Sequence, residues 1–590
     1  MKKLTLFIIF LFVYILWANA QTTKWVKTAG GTKSEKGINI GVDSLGFVYI
    51  GGYFNDYATF GSFTIYSDHS TDKDFFIAKM DSNGNFLWVT SGGGYIDDRM
   101  LGMHVDPAGN IYCTGTFWGS AGANFGSIYI SGGGFDQSFL AKMDANGNWL
   151  WARQFGAPGT GTYYLGPPIY TVWIGDDHGF DLKTDNSGNI YITGWWSGDN
   201  AYFDSFTLNN PAWEPDTTTM GYVGKLDPAG NFLWVQKFDG VQDKRGERDN
   251  RLAVDKDGNV YVTGGFKNSG VYGSITLVSR GEWDIFITKL DTDGNFIWAK
   301  RAGSDKSDHG NGIAIADDGD VYIDGEFKED ADFGSEVLNN KSKKDVFVAK
   351  LNPNGDWVWA TRVKKSAGKD RANQMSVDKD EYVFVCGELG DTAEFGDTLI
   401  PNLLDLQNPF VAQLNVNGDW LWAKVGVGTS TGRANDIAVD KWGNSYVVGF
   451  YEGTLNIDGN IISAQANKDI FIWKIDKFID PNPVIEIEPP IVVEPVPPAP
   501  KGVHVPEAFS PNGDGNNDFL MVYGGQLANI VFEVYERWGR LVFSTNDSTI
   551  GWNGTIDGKK ASSGIYVYRV KVVYLDGEIE SKTGNITLVR

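Results

Sequence analysis

Short apolar runs separated by polar, glycine-containing turns make up most of the chain between residues 22 and 476. Runs such as 260–263 and 285–287 are rich in β-branched and aromatic residues, and none is long enough for a helix. Many are apolar at successive positions, which predicts sheets covered on both faces. The turns often have the form Asp-x-x-Gly-Asn, as in 255–259, which suits a hairpin with glycine in the left-handed conformation. The pattern therefore predicts an all-β fold.

The pattern repeats about every 63 residues, a period typical of a solenoid or a propeller. A tryptophan near the end of each repeat marks the register: Trp25, Trp88, Trp151, Trp234, Trp298, Trp359 and Trp422. A second marker is the glycine of the first turn: Gly46, Gly109, Gly188, Gly258, Gly319 and Gly443, with Glu381 in its place in the sixth repeat. Each repeat supplies at least four strands. Segments such as 333–338, between the second and third strands, are interpreted as an edge strand or a capping loop.

The two ends of the repeat array complete each other. The segment 23–30 has the sequence of a last strand without the rest of its repeat, and the seventh repeat ends at Asp476 without that strand. Pairing them would close a ring and remove the exposed sheet edges. The sequence therefore predicts a seven-bladed β-propeller over residues 21–477, closed by the N-terminal strand.

Three further segments have their own composition. Residues 1–20 read as a signal peptide, with a basic start, an apolar stretch over 4–17 and a small-x-small cleavage site at Ala18-Asn19-Ala20. Residues 478–502 are rich in proline and predict a semi-rigid polyproline II linker. Residues 503–590 contain alternating strands of a small all-β unit, which we interpret as an immunoglobulin-like sandwich.

Charge and cysteine content narrow the choice of partners. The 590 residues have a formal net charge of −23, which disfavours nucleic acid and anionic lipid as partners. No apolar stretch after the signal is long enough to span a membrane, so we expect no transmembrane segment after signal removal. Cys113 and Cys386 lie in strands of different repeats, so we expect two buried thiols and no disulfide.

The C-terminal unit carries several short motifs in order. They include 509–518 (Phe-Ser-Pro-Asn-Gly-Asp-Gly-Asn-Asn-Asp), Arg-Trp-Gly at 537–539, Trp-Asn-Gly at 552–554 and a final stretch at 584–590. The unit resembles the type B sorting domain of the type IX secretion system, also called the gliding-motility-associated C-terminal domain. The residues that carry this resemblance are Pro511, Asn512, Gly513, Asp514, Gly515, Asp518, Arg537, Trp538, Gly539, Trp552, Gly564, Tyr566, Gly584 and Arg590.

This resemblance implies a route and a location. The signal peptide would cross the inner membrane of a Bacteroidota cell, and the type IX secretion machinery would recognise the C-terminal domain at the outer membrane. The protein would be secreted or held on the outer cell surface. The repeats in turn resemble those of secreted bacterial seven-bladed β-propellers, a family defined by its repeat and not by an activity.

The third repeat is about 20 residues longer than its neighbours and is rich in aromatic residues. Long loops on rigid scaffolds commonly bind ligands, and flat aromatic faces stack on sugar rings. The candidate ligand-binding residues are Tyr163, Tyr164, Tyr170, Trp173, Asp177, Trp195, Trp196 and Trp213. Alternatively, these aromatic residues fold the insert onto its own blade.

Two other acidic features were weighed as sites. Asp514, Asn516 and Asp518 could place oxygen ligands around Ca²⁺, although an Asx-rich turn explains them equally and no other cofactor is indicated. Six repeats carry an acidic–basic pair ahead of the first turn: Glu35-Lys36, Asp98-Arg99, Asp177-His178, Glu247-Arg248, Asp308-His309 and Asp370-Arg371, with Gly432-Arg433 in the seventh. Their cations could line an anion site near the axis or form ion pairs between blades.

No catalytic motif is present in the sequence. The histidines are scattered, without a metalloprotease motif or a nucleophile elbow: His69, His104, His178, His309 and His504. We therefore expect a non-enzymatic binding or adhesion protein, with the propeller as scaffold for a glycan or protein ligand. The alternatives are a polysaccharide-degrading propeller enzyme and a structural component of the envelope or gliding apparatus.

Overall fold

The structure, a computed structural model, consists of β-strands and turns. It describes residues 21–133, 136–157, 176–210, 219–239, 250–340, 344–364, 368–401, 406–478, 501–513 and 517–590. Within these ranges no helix is present that could cross a membrane. The chain separates into two compact units, residues 1–481 and 482–590. The predicted signal peptide and most of the predicted linker lie outside the described residues.

The first unit contains seven four-stranded antiparallel sheets among its described residues. We number them along the chain. Sheet 1 contains Lys36–Val42, Val48–Asn55, Lys73–Met80 and Phe86–Gly92; sheet 2 contains Arg99–Val105, Ile111–Trp118, Asp136–Met143 and Trp149–Phe155; and sheet 3 contains Asp177–Thr184, Ile190–Ser197, Thr219–Leu226 and Phe232–Phe238. Sheet 4 contains Arg251–Val254, Val260–Phe266, Asp284–Leu290 and Phe296–Ala302, and sheet 5 contains His309–Ile315, Val321–Phe327, Asp345–Leu351 and Trp357–Arg362. Sheet 6 contains Arg371–Val377, Val383–Leu389, Asn408–Leu414 and Trp420–Val425, and sheet 7 contains Gly432–Val439, Ser445–Tyr451, Asp469–Ile475 and Thr23–Ala29.

The last strand of sheet 7 comes from the start of the chain. Thr23–Ala29 pairs antiparallel with Asp469–Ile475, and Trp25 lies opposite Lys474. The predicted pairing of the two ends is therefore confirmed. The first strands of consecutive sheets contact one another, and that of sheet 7 contacts that of sheet 1. Sheets that surround an axis in this closed order form a β-propeller.

Burial explains the apolar runs. The second and third strands are mostly buried, and in sheets 5 to 7 they are buried along their whole length, as in Val321–Phe327 and Asp345–Leu351, because each sheet is covered on both faces by its neighbours. The fourth strand Trp357–Arg362 is half-buried except at Val358, which is exposed. Cys113 and Cys386 are buried free thiols, as predicted.

The Asp-x-x-Gly-Asn segments are tight turns. Asp291 Oδ1 accepts backbone hydrogen bonds from Asp293 (3.0 Å) and Asn295 (2.8 Å), and Gly294 has a φ of 84°. Six of the seven first turns have glycine in this left-handed conformation. Glu381 adopts it with a φ of 61°, which strains a residue that has a Cβ.

A two-stranded hairpin lies between the second and third strands of every sheet, where the sequence suggested an edge strand or capping loop. The hairpins are Tyr57–Phe60 with Phe63–Tyr66, Ala123–Phe125 with Ile128–Ile130, Asn200–Phe203 with Phe206–Asn209, Ser269–Tyr272 with Ile275–Val278, Ala331–Phe333 with Glu336–Leu338, Ala393–Phe395 with Thr398–Ile400, and Thr454–Ile457 with Asn460–Ser463, joined by Val427–Gly428. The end of each fourth strand pairs with the hairpin of the next sheet, as Gly303 does with Asp332 and Gly30 with Thr59. These bridges link consecutive sheets around the ring.

The repeated tryptophans also join neighbouring sheets. The Trp298 ring packs against Gly355 of the next sheet, and its Nε1 donates a hydrogen bond to Pro353 O (3.2 Å). Within its own sheet it contacts the Tyr261 ring, which lies under the ammonium group of Lys289. This arrangement recurs around the ring and explains the spacing of the marker residues.

The second unit is a single five-stranded sheet with two short ladders in its described residues. In order, the sheet contains Ala508–Phe509, Ile579–Leu588, Gly564–Tyr574, Leu527–Tyr535 and Leu541–Thr545; the ladders are Gly502–His504 with Tyr523–Gly525 and Thr555–Ile556 with Lys559–Lys560. All sheet pairs are antiparallel except Ala508–Phe509 with Ile579–Leu588. The all-β prediction is confirmed, whereas the immunoglobulin-like sandwich stays a prediction.

Candidate functional site: an arginine-lined axial cavity

The first strand of each sheet faces the axis, and six of them contain a β-bulge at the same register position. In sheet 1 the pairing shifts between Gly37 and Asn39, and in sheet 5 between Gly310 and Gly312. The bulged residues are Ile38, Leu101, Phe180, Asn311, Asn373 and Asn435. A bulge turns a side chain out of the regular alternation, and here it directs these six to a common cavity.

This axial cavity has a volume of about 700 Å³, including its mouth. Its wall is divided by chemistry. Sheets 1 to 3 contribute the apolar side chains Ile38, Leu101 and Phe180, and sheets 5 to 7 contribute three asparagines. Four arginines and Tyr53 complete the lining: Arg99, Arg251, Arg371 and Arg433.

The three asparagines form an inter-sheet belt. The Nδ2 of Asn311 donates a hydrogen bond to Ala372 O and that of Asn373 to Ala434 O, both at 2.8 Å. Asn435 Nδ2 donates to Gly37 O at 2.7 Å across the closure of the ring. Since each amide nitrogen is engaged by a carbonyl, each Oδ1 is left as an acceptor on the polar side of the cavity.

Three of the four arginines are held by carboxylates. Arg371 Nε lies 3.3 Å from Glu326 Oε2, and Arg433 Nε lies 2.6 Å from Glu388 Oε2. In both cases the glutamate belongs to the preceding sheet. Arg99 pairs with Asp97 at 3.0 Å. Two of these pairs therefore link neighbouring sheets, as in the interpretation of ion pairs between blades. The same arginines also line the axial cavity, as in the interpretation of a cationic lining near the axis.

The acidic members of the predicted pairs do not accompany their neighbouring cations. They are fully buried and accept backbone N–H groups of adjoining segments instead: Glu35 from Gly31, Asp98 from Gly94 and Trp118, Asp177 from Ala157, Asp308 from Ser304 and Lys328, and Asp370 from Gly390. These acids therefore do not form ion pairs with the adjacent cations, because they accept the backbone N–H groups at the ends of neighbouring strands. Glu247 and Arg248 lie outside the described residues.

The histidines at this register do not extend the cationic ring. His178 stacks on Trp195 with ring centroids 4.4 Å apart, and burial lowers its pKa to about 3. His309 stacks on Trp283 in the same way, with centroids 5.6 Å apart. His178 is therefore neutral at physiological pH, and the positive charge of the lining comes from arginine.

Arg251 differs from the other three arginines. Its Nη1 donates a hydrogen bond to Phe180 O (3.1 Å), and its buried Nε makes none. No carboxylate of the described residues lies within 4.0 Å of it. Arg251 also lines the channel on the other side of the cavity, with Asp181 and Lys183. It therefore places an unpaired guanidinium at the waist of the axis. The sequence search missed Arg251 because it lies three residues after the pair register.

In the channel beyond the axial cavity, two buried carboxylates hold neighbouring sheets together. Asp181 Oδ2 accepts a hydrogen bond from Leu252 N (3.1 Å), and Asp436 Oδ2 accepts one from Ile40 N (2.8 Å). Burial raises the pKa of Asp436 to about 6. Both carboxylates thus bind the backbone of the following sheet and hold the innermost strands together.

The predicted aromatic ligand site is only partly described. Tyr163, Tyr164, Tyr170, Trp173 and Trp213 lie outside the described residues. Trp196 is fully buried in a core with Phe203 and Tyr222, and Trp195 is 5% exposed and covered by His178. Asp177 has no exposed surface. These three side chains stabilise sheet 3 and present no face to a sugar, which corrects their predicted role.

The predicted calcium loop is likewise incomplete, since Asp514, Gly515 and Asn516 lie outside the described residues. Asp518 Oδ1 accepts a hydrogen bond from Gly513 N (2.7 Å), as expected for an Asx-rich turn. Across the residues that the structure does describe, no group of three or more histidine, cysteine, aspartate or glutamate side chains could hold a metal ion.

The motif residues of the C-terminal unit divide into a core set and a surface set. Trp552 is buried against Tyr566, with ring centroids 4.9 Å apart, and Arg590 Nη2 donates to Gly554 O (2.6 Å). Tyr568 fills the space above Gly584, where any Cβ would clash. Trp538 is 90% exposed at the tip of a hairpin. The motif thus encodes a packed core and one large apolar side chain open to a partner.

The remaining motif positions lie in turns and at strand ends. Pro511 and Asn512 precede Gly513, whose φ is 84°, and Gly539 has a φ of 86° in the turn after Arg537 and Trp538. Gly564 begins the longest strand of the sheet. These positions set the backbone of the loops around the core.

The ring of sheets and the C-terminal unit together define a class: a β-propeller protein with a separate export domain. Residues 503–588 match the family model of the CHU_C type IX secretion signal domain. The predicted resemblance of the C-terminal unit is confirmed. The chain is handled by the type IX secretion machinery and is exported to the cell surface or the medium.

Two curated proteins are similar to part of the chain. An uncharacterized WD repeat-containing protein of Acanthamoeba polyphaga mimivirus is 24% identical over 496 residues, which cover 62% of this chain and 36% of that protein. The regulatory protein FlaEY of Caulobacter vibrioides is 25% identical over 180 residues, which cover 30% of this chain and 17% of that protein. The matches thus span 36% of the length of the first relative and 17% of the second.

Solved structures with low identity also align with the chain. A protein of unknown function from Bacteroides caccae has 12% identity and a TM-score of 0.31, covering 59% of this chain and 89% of its own. NanB sialidase from Streptococcus pneumoniae has 7% identity and a TM-score of 0.33, covering 76% and 94%. Likenesses at this level carry no argument about function, and the fold stated above rests on the strand pairing.

Proposed function

We propose that this chain is an exported binding or adhesion protein without catalytic activity. In this proposal the sheets are the blades of a seven-bladed propeller, a rigid scaffold that presents a glycan or protein ligand site at the axis. The observation that carries the proposal is the axial cavity, where apolar side chains, amide oxygens and guanidinium groups converge. Concave sites with a few converging polar groups are the usual ligand sites of proteins.

The chemistry of the lining supports binding over catalysis. Among the described residues, the ionisable side chains of the axial cavity are arginines and Tyr53. Arginine stays protonated in proteins and does not exchange protons with a substrate. The acids that contact these arginines are Asp97, Glu326 and Glu388; all three are engaged in ion pairs, and the two glutamates are buried. The cavity therefore offers recognition without a paired acid and base.

A glycan array probed with the intact secreted protein tests this function, together with incubation of the protein with the bound polysaccharides. We expect retention of selected glycans without release of reducing ends. Release of reducing sugar would overturn the non-catalytic assignment. A variant lacking residues 158–175 separates the two candidate surfaces, since loss of retention would assign the ligand to the third-repeat insert instead of the axial cavity.

A further inference from the structure

Arg99, Arg371 and Arg433 each lie within 4.0 Å of a carboxylate, whereas no carboxylate of the described residues lies that close to Arg251. Arg251 is half-buried, and a partly desolvated guanidinium attracts an anion more strongly than one on the open surface. One uncompensated guanidinium matches one negative charge, and its planar fork matches a carboxylate.

The asparagine side of the cavity calls for hydrogen-bond donors. Asn311, Asn373 and Asn435 turn their amide nitrogens to the backbone, so their Oδ1 atoms can only accept. Each Nδ2 has a second hydrogen that can also donate, so the wall offers both acceptors and donors. Hydroxyl groups donate and accept, so the wall suits a ligand with several of them.

The opposite wall is apolar and includes an aromatic ring. Ile38, Leu101 and Phe180 come from three successive sheets, and Phe180 O is also the acceptor for Arg251. A pyranose ring has a C–H face that packs on such a surface, while its hydroxyls point outward along its edge.

We propose that the axial cavity binds a carboxylated sugar of the hexuronic acid class, with its carboxylate on Arg251, its hydroxyls on the three asparagines and its C–H face on Phe180 and Leu101. The ligand is the free acid or the end of a glycan chain that carries it. This assignment rests on the proposed binding function and names its ligand.

Isothermal titration calorimetry with glucuronic acid tests the assignment, and glucose is the matched neutral sugar. We expect glucuronic acid to bind and glucose to bind at least about tenfold more weakly, because glucose leaves Arg251 unpaired. In Arg251→Gln the affinity for glucuronic acid falls by about tenfold or more. In Arg280→Gln, a half-exposed arginine at the rim of sheet 4, the affinity stays within about twofold.

The outcomes separate this assignment from the broader function. Equal affinity of the two sugars, or unchanged glucuronic acid affinity in a folded Arg251→Gln, overturns the assignment. If neutral glycans bind on the array and still bind to Arg251→Gln, the assignment is overturned, while the binding function remains. Absence of any array ligand, together with no binding of glucuronic acid in calorimetry, overturns the assignment and the glycan-binding form of the proposed function. Thermal melting of the two variants shows whether they fold alike. An oligosaccharide that ends in glucuronic acid supports the assignment if it binds at least as tightly as the free acid.

Discussion

Two junctions of the ring share one backbone design and differ in how they hold their acids. Between sheets 4 and 5, the buried carboxyls of Asp284 and Asp308 lie beside Gly303, and Arg301 Nη1 contacts Asp284 Oδ2 at 2.8 Å. Between sheets 7 and 1, Asp469 and Glu35 occupy the equivalent places. Thr28 occupies the position equivalent to Arg301. Thr28 lies opposite Phe471, two residues after Asp469, and Arg301 lies opposite Phe286, two residues after Asp284.

The acids at the two junctions also differ in their pKa. At the junction of sheets 7 and 1, burial and Asp469 raise the pKa of Glu35 to about 8. At the junction of sheets 4 and 5, burial raises the pKa of Asp308 only to about 6, against several hydrogen bonds that lower it. Glu35 Oε1 and Asp469 Oδ1 make no hydrogen bond among the described residues. Protonation of either carboxyl removes one of two buried charges, and the pKa of both groups is raised.

The neighbouring junctions also divide into those with an arginine beside the buried aspartate and those without one. Between sheets 5 and 6, Arg362 contacts Asp345 at 2.6 Å, as Arg301 does in sheet 4. Between sheets 1 and 2, Ser91 takes the arginine position, and burial raises the pKa of Asp74 to about 7 and that of Asp98 to about 8. Sheet 1 is thus flanked on both sides by carboxyls without a compensating arginine.

Removing the arginine from a compensated junction has the largest expected effect. In Arg301→Leu, the fully buried Asp284 loses its ion pair, and breaking a buried pair costs about 3 to 5 kcal/mol of unfolding free energy. Denaturant unfolding at pH 8 measures the loss.

The control is Arg280→Leu, which removes an arginine that also contacts Asp332 and is half-exposed. Exposed pairs contribute about 0 to 1 kcal/mol, so its effect stays small. Equal losses in the two variants would show that the buried carboxyl of Asp284 does not depend on its arginine, and the contrast between the junctions would fail.

The uncompensated junctions make stability depend on pH in a defined direction. The pKa of Glu35 rises from 4.5 to about 8 in the folded state, so the folded protein holds more protons than the unfolded chain across that window. Stability is therefore greatest below about pH 4.5 as far as this group is concerned, and it falls as the pH rises through 8. Asp469 and Asp56 face Glu35 and act in the same sense.

Glu35→Gln isolates this group. The glutamine oxygen can accept from Gly31 N, and its amide can donate to Asp469 Oδ1. We expect a gain of about 1 to 2 kcal/mol at pH 8.5 and little change at pH 5, measured by unfolding at both values. Glu336→Gln, on an exposed hairpin, is the control. A pH profile in Glu35→Gln identical to that of the parent would contradict the role of the pair.

Sequence periodicity predicts the fold well because the determinants of the blades are local. Tryptophan spacing and turn glycines anticipate every four-stranded sheet, and the orphan strand around Trp25 anticipates the closure against Asp469–Ile475. Each of these signals depends on residues that are close in the chain or repeat at a fixed interval. The hairpins between the second and third strands were misread because they are only three or four residues per strand.

The candidate site was largely beyond sequence reasoning. Asp177 and Trp196 stand in an aromatic-rich stretch that predicts a ligand surface, and packing buries both. Arg251 lies three residues after the position of the acidic–basic pairs. Its place in the axial cavity depends on side chains from the six other sheets, which no local pattern predicts. The Asp98 carboxyl accepts backbone N–H groups of Gly94 and Trp118, and no local pattern marks those donors as unsatisfied.

The smallest expected effect comes from adding the arginine where the ring lacks it. Thr28→Arg places a guanidinium beside Asp469 in the register that Arg301 occupies beside Asp284. Because the arginine loses hydration as it pairs, the net gain at pH 8.5 is only about 1 kcal/mol, or about 2 °C in the melting temperature. The gain shrinks toward lower pH, because burial raises the pKa of Asp469 and a protonated carboxyl offers the cation no charge. Thr64→Arg adds the same charge on an exposed hairpin and should leave the pH profile unchanged. If the stability of Thr28→Arg depends on pH as steeply as that of the parent, the two kinds of junction differ by more than this one side chain. An arginine at this position would then not be enough to convert one kind of junction into the other.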